Sequence, residues 1–252
     1  MVQLTDIISF LDTYLAINTV KDDSWNGLQV EGKTTVSKIM FAVDAGMQTF
    51  EKAIELKADM VVVHHGLMWN GTNPSYRGAH KRRIETLVQN GISLYAAHLP
   101  LDKHPVVGNN AQLIALMGFE KDKPFAMYHG DTISFTGKTK TPKTIAEIES
   151  ILKNNLGAQC KTLAFGPQKI STIAVCSGGG GYEQLAEAAA AGVDLYVTGD
   201  ATEYYHIARD YELNVIFAGH HATEIVGVRA LAPVVNKECS VQTIFVDIPT
   251  GL

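Results

Sequence analysis

Cysteine is scarce in this chain of 252 residues. Cys160, Cys176 and Cys239 are odd in number and far apart. That excludes a disulfide scaffold or a cysteine-rich zinc site, and it suits a reducing cytoplasm. Charge of one sign is also lacking. The formal net charge is -5, which disfavours a protein that coats nucleic acid, since such domains are usually basic. No apolar run approaches the ~20 residues of a membrane-spanning helix. The start, MVQLTDIISFLDTYL, carries two aspartates and no basic region, so no signal peptide is expected. What is present is ordinary: 46% hydrophobic and 19% charged residues, enough to build a buried core.

Leu4, Ile7, Ile8, Leu11, Tyr14 and Leu15 recur at helical spacing, with Thr5 as a candidate cap. From Lys38 the pattern runs strand (IMFAVD), helix (MQTFEKAIELK), strand (DMVVVHHG). Residues 67–80 read as a long loop, followed by a helix near 81–89, the strand ISLYAAH and a helix near 109–117. Residues 119–130 are polar and read as irregular. A second series follows: DTISFTG, a helix opened by Thr141-Pro142, the strand STIAVCSG, a helix in GGGYEQLAEAAAAG and the strand VDLYVTGD. The helix ATEYYHIARDY, the strand NVIFAGH, the helix HATEIVGVRALAPVV and the strand VQTIFVDIP complete it. Apolar strands without alternation, separated by helices, indicate an α/β fold with mixed or parallel sheets covered by helices. Two related α/β modules are expected, residues 1–124 and 125–252, with strand 241–248 packing back on the first.

An internal duplication is expected from short matches. FAVDAG (41–46) lines up with IAVCSG (173–178), ADMVVVHH (58–65) with VDLYVTGD (193–200), and LYAAHLPLD (94–102) with IFAGHHATE (216–224). His98 and Asp102 are four apart, as are His220 and Glu224.

Three groups of donors fall at the carboxyl ends of predicted strands: His64-His65, His98 with Asp102, and His220-His221 with Glu224. That end of an open α/β sheet is where ligands bind. Imidazole with carboxylate suits zinc, iron or manganese, and so many donors exceed the needs of one structural zinc, so a two-metal site between the modules is expected. Of the adjacent pair we take His220, one helical turn from Glu224.

At these residues the chain resembles the YbgI-like, NGG-interacting-factor-three family of dinuclear metal proteins, some of which carry the label GTP cyclohydrolase type 2 homologue. The motifs are WNGLQVEG (25–32), VVHHG (62–66), AHLPLD (97–102), GNNAQL (108–113), VTGD (197–200), AGHHATE (218–224) and FVDIP (245–249). The resemblance runs almost end to end. It implies metal ligands at His64, His65, Asp102, His220 and Glu224, two divalent ions per chain (zinc, iron or manganese), and a homohexamer. His98 is expected either to orient Asp102 or line the substrate pocket, and it is the candidate general acid or base. The implied function is a cytoplasmic metal-dependent hydrolase or cyclohydrolase acting on an anionic, nucleotide-like small molecule. The alternatives are a metal carrier or insertion factor, or a regulatory adaptor.

Other features read more plainly. RGAHKRR (77–83) is the solvated start of a helix rather than an anion-binding rim. SGGGG (177–181) is a tight turn, lacking the lysine and spacing of a P-loop. The resemblance places the segment after Trp25 near the metal cleft, where Asn26 and Gln29 serve either ligand or turn. Asp44 and Asp200 stand at strand ends outside the ligand set, and Cys176 is expected to be a small buried residue.

Overall fold

The computed structural model describes residues 1–252. In chain order its elements are β1 (Val2–Gln3), α1 (Leu4–Tyr14), β2 (Gly27–Val30), β3 (Thr35–Val36), β4 (Lys38–Asp44), α2 (Met47–Glu55), β5 (Met60–His65), α3 (Gly78–Asn90), β6 (Ser93–Ala96), α4 (Leu99–Lys103) and α5 (Asn109–Leu116). There follow β7 (Glu120–Tyr128), β8 (Asp131–Lys143), α6 (Ile145–Leu156), β9 (Lys161–Leu163), β10 (Ile170–Cys176), α7 (Tyr182–Ala190), β11 (Leu195–Thr198), α8 (Tyr205–Asp210), β12 (Asn214–Phe217), α9 (His220–Cys239) and β13 (Gln242–Phe245). The fold is mixed α/β. The chain divides into two units: residues 1–101 with 228–248, and residues 102–227 with 249–252.

The first unit holds a five-stranded sheet in the order β13-β4-β5-β6-β2 and a two-stranded pair, β1 with β3. β13, β4, β5 and β6 are parallel, and β2 closes the edge antiparallel to β6. Met60, Val61, Val62 and Val63 of β5 are fully buried. Each such side chain contributes about 1.5–3 kcal/mol of burial free energy, so a central strand of this kind is a rigid mount for whatever follows it. Helix α1 buries Leu4, Ile7 and Leu11 along one face. Its cap is Gln3 rather than Thr5, and no side chain bonds the first-turn amides there.

The second unit holds a six-stranded sheet in the order β7-β8-β10-β11-β12-β9. β10, β11 and β12 are parallel, and β9 closes the edge antiparallel to β12. The polar stretch expected to be irregular is the strand β7. It is polar because it is an exposed edge that buries only Phe125 and Ala126, and Pro124 sits beside a register shift, where a missing amide does little harm. Pro142 belongs to β8 and does not open the next helix. α6 starts at Ile145, capped by Thr144 in a reciprocal box with Glu147.

The two central triplets of strands share a register. Ile39 lies opposite Met60 and Ile173 opposite Leu195, while Met60 faces Ser93 and Leu195 faces Asn214. Asp59 and Asp194 then do the same work. Asp59 Oδ2 accepts from the amides of Ser37 (2.9 Å) and Lys38 (3.4 Å), and Asp194 Oδ2 accepts from those of Ser171 (2.7 Å) and Thr172 (2.9 Å). These ladders set Phe41 against Val175 and Leu94 against Val215. The sequence matches are therefore out of step by two residues on the first strand and one on the third.

Candidate metal centre

In the first unit, β5 ends in His64 and His65, and β6 is followed directly by Ala97 and His98. His64 is fully buried, and its Nδ1 donates to the Ala97 carbonyl at 2.9 Å. A carbonyl can only accept, so the proton is on Nδ1 and the lone pair of the neutral ring is on Nε2. His65 Nδ1 is held by Asp44 Oδ1 and His98 Nδ1 by Asp22 Oδ1, both at 2.8 Å. The three rings lie 4.6–5.6 Å apart between centroids. One nitrogen from each falls within 4.8 Å of the others, close enough to share a metal ion. Every imidazole is thus gripped at Nδ1 by an oxygen, the arrangement that fixes ring orientation and basicity in metal-binding histidines.

A clamp of short polar side chains holds His98. Asn26 Oδ1 accepts from the His98 amide (2.7 Å), and Asp22 Oδ2 accepts from the Leu99 amide (3.0 Å) and from Asn26 Nδ2 (2.9 Å). Burial pushes the Asp22 carboxyl up, but the His98 bond and charge, with the Asn26 and Ser24 donors, outweigh it and hold it down at about 2. Gln29 accepts from the Leu67 amide (2.7 Å) and donates to the Trp25 carbonyl (2.7 Å). Asn26 and Gln29 thus bond the chain's own backbone. Gly66 is required here, because a Cβ would run into the Gln29 amide and lie 2.6 Å from Ala96 Cβ. The Trp69 and His98 rings meet edge to face with 4.9 Å between centroids, and Trp69 Nε1 donates to the Gly66 carbonyl.

In the second unit the donors are mostly carboxylates. Asp102 is buried, and its Oδ1 accepts from Asn109 Nδ2 and Ser177 Oγ, each at 2.9 Å. Asn109 is itself fixed by accepting from the Gly227 amide at 2.8 Å. His220 bonds Asp200 Oδ1 through Nδ1 (3.0 Å) and lies 3.3 Å from Glu224 Oε1 through Nε2. The Glu224 bond and charge, helped by Asp200 and opposed by burial, push the His220 imidazole up to about 9. Glu224 is buried and His220 is one-third exposed.

The glycine run that reads as a turn has a tighter reason. A Cβ on Gly178 would meet Glu224 Oε1 and lie 3.0 Å from His220 Nε2, and one on Gly179 would lie 3.0 Å from Asp200 Oδ2. Gly178 also has φ +63°, a left-handed backbone that glycine adopts freely. These glycines let the donor side chains approach the backbone. Cys176 is buried as expected, and burial, with Asp102 nearby, pushes its thiol up to about 12.

Sequence reasoning does not single out Asp22, Ser177 or Asn109 as site residues. Only Asn109 lies in a distinctive motif, and the signal for Asp22 is a bare DDS before a turn. Arg77, Lys81, Arg82 and Arg83 are exposed on the start of α3, as a solvated helix end would be.

The model of the Duf34/NIF3 (NGG1p interacting factor 3) family matches residues 2–250. The chain belongs to this family. It is 48% identical over 250 residues to the protein named GTP cyclohydrolase 1 type 2 homolog from Pyrococcus horikoshii, covering 98% of both chains. It is 40% identical to the protein of the same name from Pseudomonas aeruginosa, again covering 98% of each. Among solved structures, protein ybgI superposes with TM-score 0.93 at 38% identity, covering 99% of this chain and 100% of that one. TTHA1606 from Thermus thermophilus gives 0.90 at 39%, with the same coverage. HcgD from Methanocaldococcus jannaschii, at 24% identity and TM-score 0.83, shares the fold. No helix is long and apolar enough to cross a membrane.

Proposed function

We propose that this chain is a metal-dependent hydrolase or cyclohydrolase that binds two divalent ions through His64, His65, Asp102, His220 and Glu224. The observation that carries the reading is the repeated grip on Nδ1. His64, His65 and His98 each hand that nitrogen to an oxygen at 2.8–2.9 Å, which leaves Nε2 as the metal-donor nitrogen of the neutral ring, and His220 hands Nδ1 to Asp200 at 3.0 Å with Nε2 turned to Glu224. The donor set, imidazole and carboxylate without thiolate, fits zinc, iron or manganese. When bound, such ions supply Lewis acidity that makes water a nucleophile near neutral pH.

The chain's own residues do the rest. Asp44 and Asp200 orient His65 and His220, and Asn109 with Ser177 orient Asp102. His98 is the general base. It takes a proton at Nε2, and Asp22, held ionised by its bonds, stabilises the imidazolium that results. The relatives' name directs the substrate search to guanine nucleotides and related anionic small molecules. The shared work of Asp59 and Asp194 supports reading the two units as diverged copies of one. Unpaired cysteines support a reducing cytoplasm, and the homohexamer rests on the family resemblance.

A second reading is a metal carrier. The one-third-exposed His220 favours it, because an accessible ligand exchanges ions readily. Protein reconstituted with zinc, iron or manganese and assayed against nucleoside triphosphates and phosphoesters separates the two. The hydrolase predicts turnover that falls about 10²–10⁴-fold in His98→Ala with metal content unchanged. Full metal occupancy with no turnover on any of them favours the carrier.

A further inference from the structure

Trp25 is the one tryptophan of the two that faces solvent, with 60% of its surface exposed. An exposed indole is ordinarily loose, but this one is tied down. Its Nε1 donates to Asn70 Oδ1 at 2.8 Å. Asn70 is fixed in turn: its amide donates to the Asp23 carbonyl (2.7 Å) and its Nδ2 to the Asp22 carbonyl (3.2 Å). The Trp25 amide donates to the Met68 carbonyl (3.0 Å), and Ser24 bridges antiparallel to Trp69. The ring's only polar atom is therefore satisfied by the protein itself, and what remains for recognition is an aromatic face held in one orientation.

The short segment that carries this ring also holds the histidine cluster. The neighbouring Asn26 bonds the His98 amide, Asp22 holds the His98 ring, and Trp69, paired with the same short segment, sets its edge against His98. With its polar edge satisfied and its orientation fixed, the exposed indole presents a preset flat apolar face beside this segment. We propose that Trp25 is a stacking platform for the planar heteroaromatic ring of the substrate, a purine or a ring of similar size, and so selects ring-bearing substrates over simple phosphate esters. This deepens the hydrolase reading and rests on it for the identity of the reacting ligand. A preset aromatic face binds a ring at little entropic expense and tolerates any ring with a π-face.

Equilibrium dialysis of the full-length, metal-loaded and metal-free protein with guanosine, GTP and inorganic triphosphate tests it. Trp25→Ala is expected to weaken guanosine and GTP about 10- to 100-fold, the loss of one base stack, and to leave triphosphate unchanged. Trp25→Phe is expected to retain most of the binding, and Asn70→Ala to weaken it by a few-fold through loss of the fixed orientation. Metal content of Trp25→Ala, measured on the same samples, should equal that of the wild type. The proposal is overturned if the wild type binds neither guanosine nor GTP, or if Trp25→Ala binds them as the wild type does. It is equally overturned if triphosphate weakens in step with GTP, or if Trp25→Ala changes the sedimentation of the protein, which would make the indole an assembly contact. Loss of metal in wild-type protein would instead count against the hydrolase reading.

Discussion

The two sheets hold the same three parallel strands in the same register, yet their strand ends carry different chemistry. At the end of β5 stand His64 and His65, and the ladder counterparts at the end of β11 are Gly199 and Asp200. The first unit offers three imidazoles, whereas the second sets Asp200 and Glu224 against His220 and holds Asp102 on Asn109 and Ser177. The reason is steric. A Cβ at Gly199 would lie 2.5 Å from the Gly178 carbonyl oxygen and 2.8 Å from His220 Cα, so no side chain fits where the first unit places a histidine. The carboxylate grip also moves. His65 is held by Asp44 from the first strand of its triplet, whereas His220 is held by Asp200 from the middle one. A common scaffold fixes where donors stand, and local backbone approach decides which donor each place admits.

The sharpest way to break this comparison is to give the second unit a side chain at that position. Gly199→Ala is expected to destabilise the protein by about 1–3 kcal/mol in denaturant unfolding, because the clash is with backbone. A fully stable variant would show that the steric account is wrong. His64→Gly, the reverse exchange, should instead leave the protein folded and lower its metal content.

Asp22 and Asp200 hold their histidines alike but differ in burial. The Asp22 carboxyl is held at about 2, below its ordinary value of 3.8, and its side chain is only 3% exposed. Its ionised form therefore adds stability, on the order of 2 kcal/mol, above pH ~4, and that stability is lost as pH falls toward 2. Asp22→Asn should remove this acid-dependent part of the unfolding curve, while Asp200→Asn, half-exposed, should barely change it. An Asp22→Asn protein with unaltered acid unfolding would contradict the assigned role.

A smaller effect concerns His220 in metal-free protein. Its imidazole, at about 9, is raised chiefly by Glu224 and less by Asp200. Proton NMR titration should therefore show a larger downward move in Glu224→Gln than in Asp200→Asn. The smallest contrast lies at Cys176, whose ladder counterpart is Ala42. With its thiol at about 12 and the side chain buried, it should resist iodoacetamide in the native protein at pH 8. Rapid labelling would mean that the strand end opens.

Much of this is legible in the sequence, for identifiable reasons. Buried parallel strands such as DMVVVHH announce themselves as unbroken apolar runs, and the histidines that follow them are rare enough to stand out. β7 is hidden because an exposed edge strand needs no apolar pattern, and the cap at Thr144 is obscured by a proline one turn too early. The short matches that suggest a repeat are visible but out of step with the hydrogen-bonded ladders, since identity of small residues and histidines rewards a match that the ladders do not make. Asp22 is invisible as a partner of His98 because 76 residues separate them. The glycine run reads correctly as a turn, but only the positions of Glu224, His220 and Asp200 show why glycines are needed there.

The most direct test of the proposed function, that His64, His65, Asp102, His220 and Glu224 bind two divalent ions, is metal content per chain by mass spectrometry. The protein should be purified without chelator or nickel affinity, as wild type, His65→Ala and Glu224→Ala. About two equivalents of divalent metal in the wild type, with a loss in each folded variant, is the expected result. Wild-type protein that neither carries metal nor takes it up, or two variants that both keep full occupancy, would contradict it.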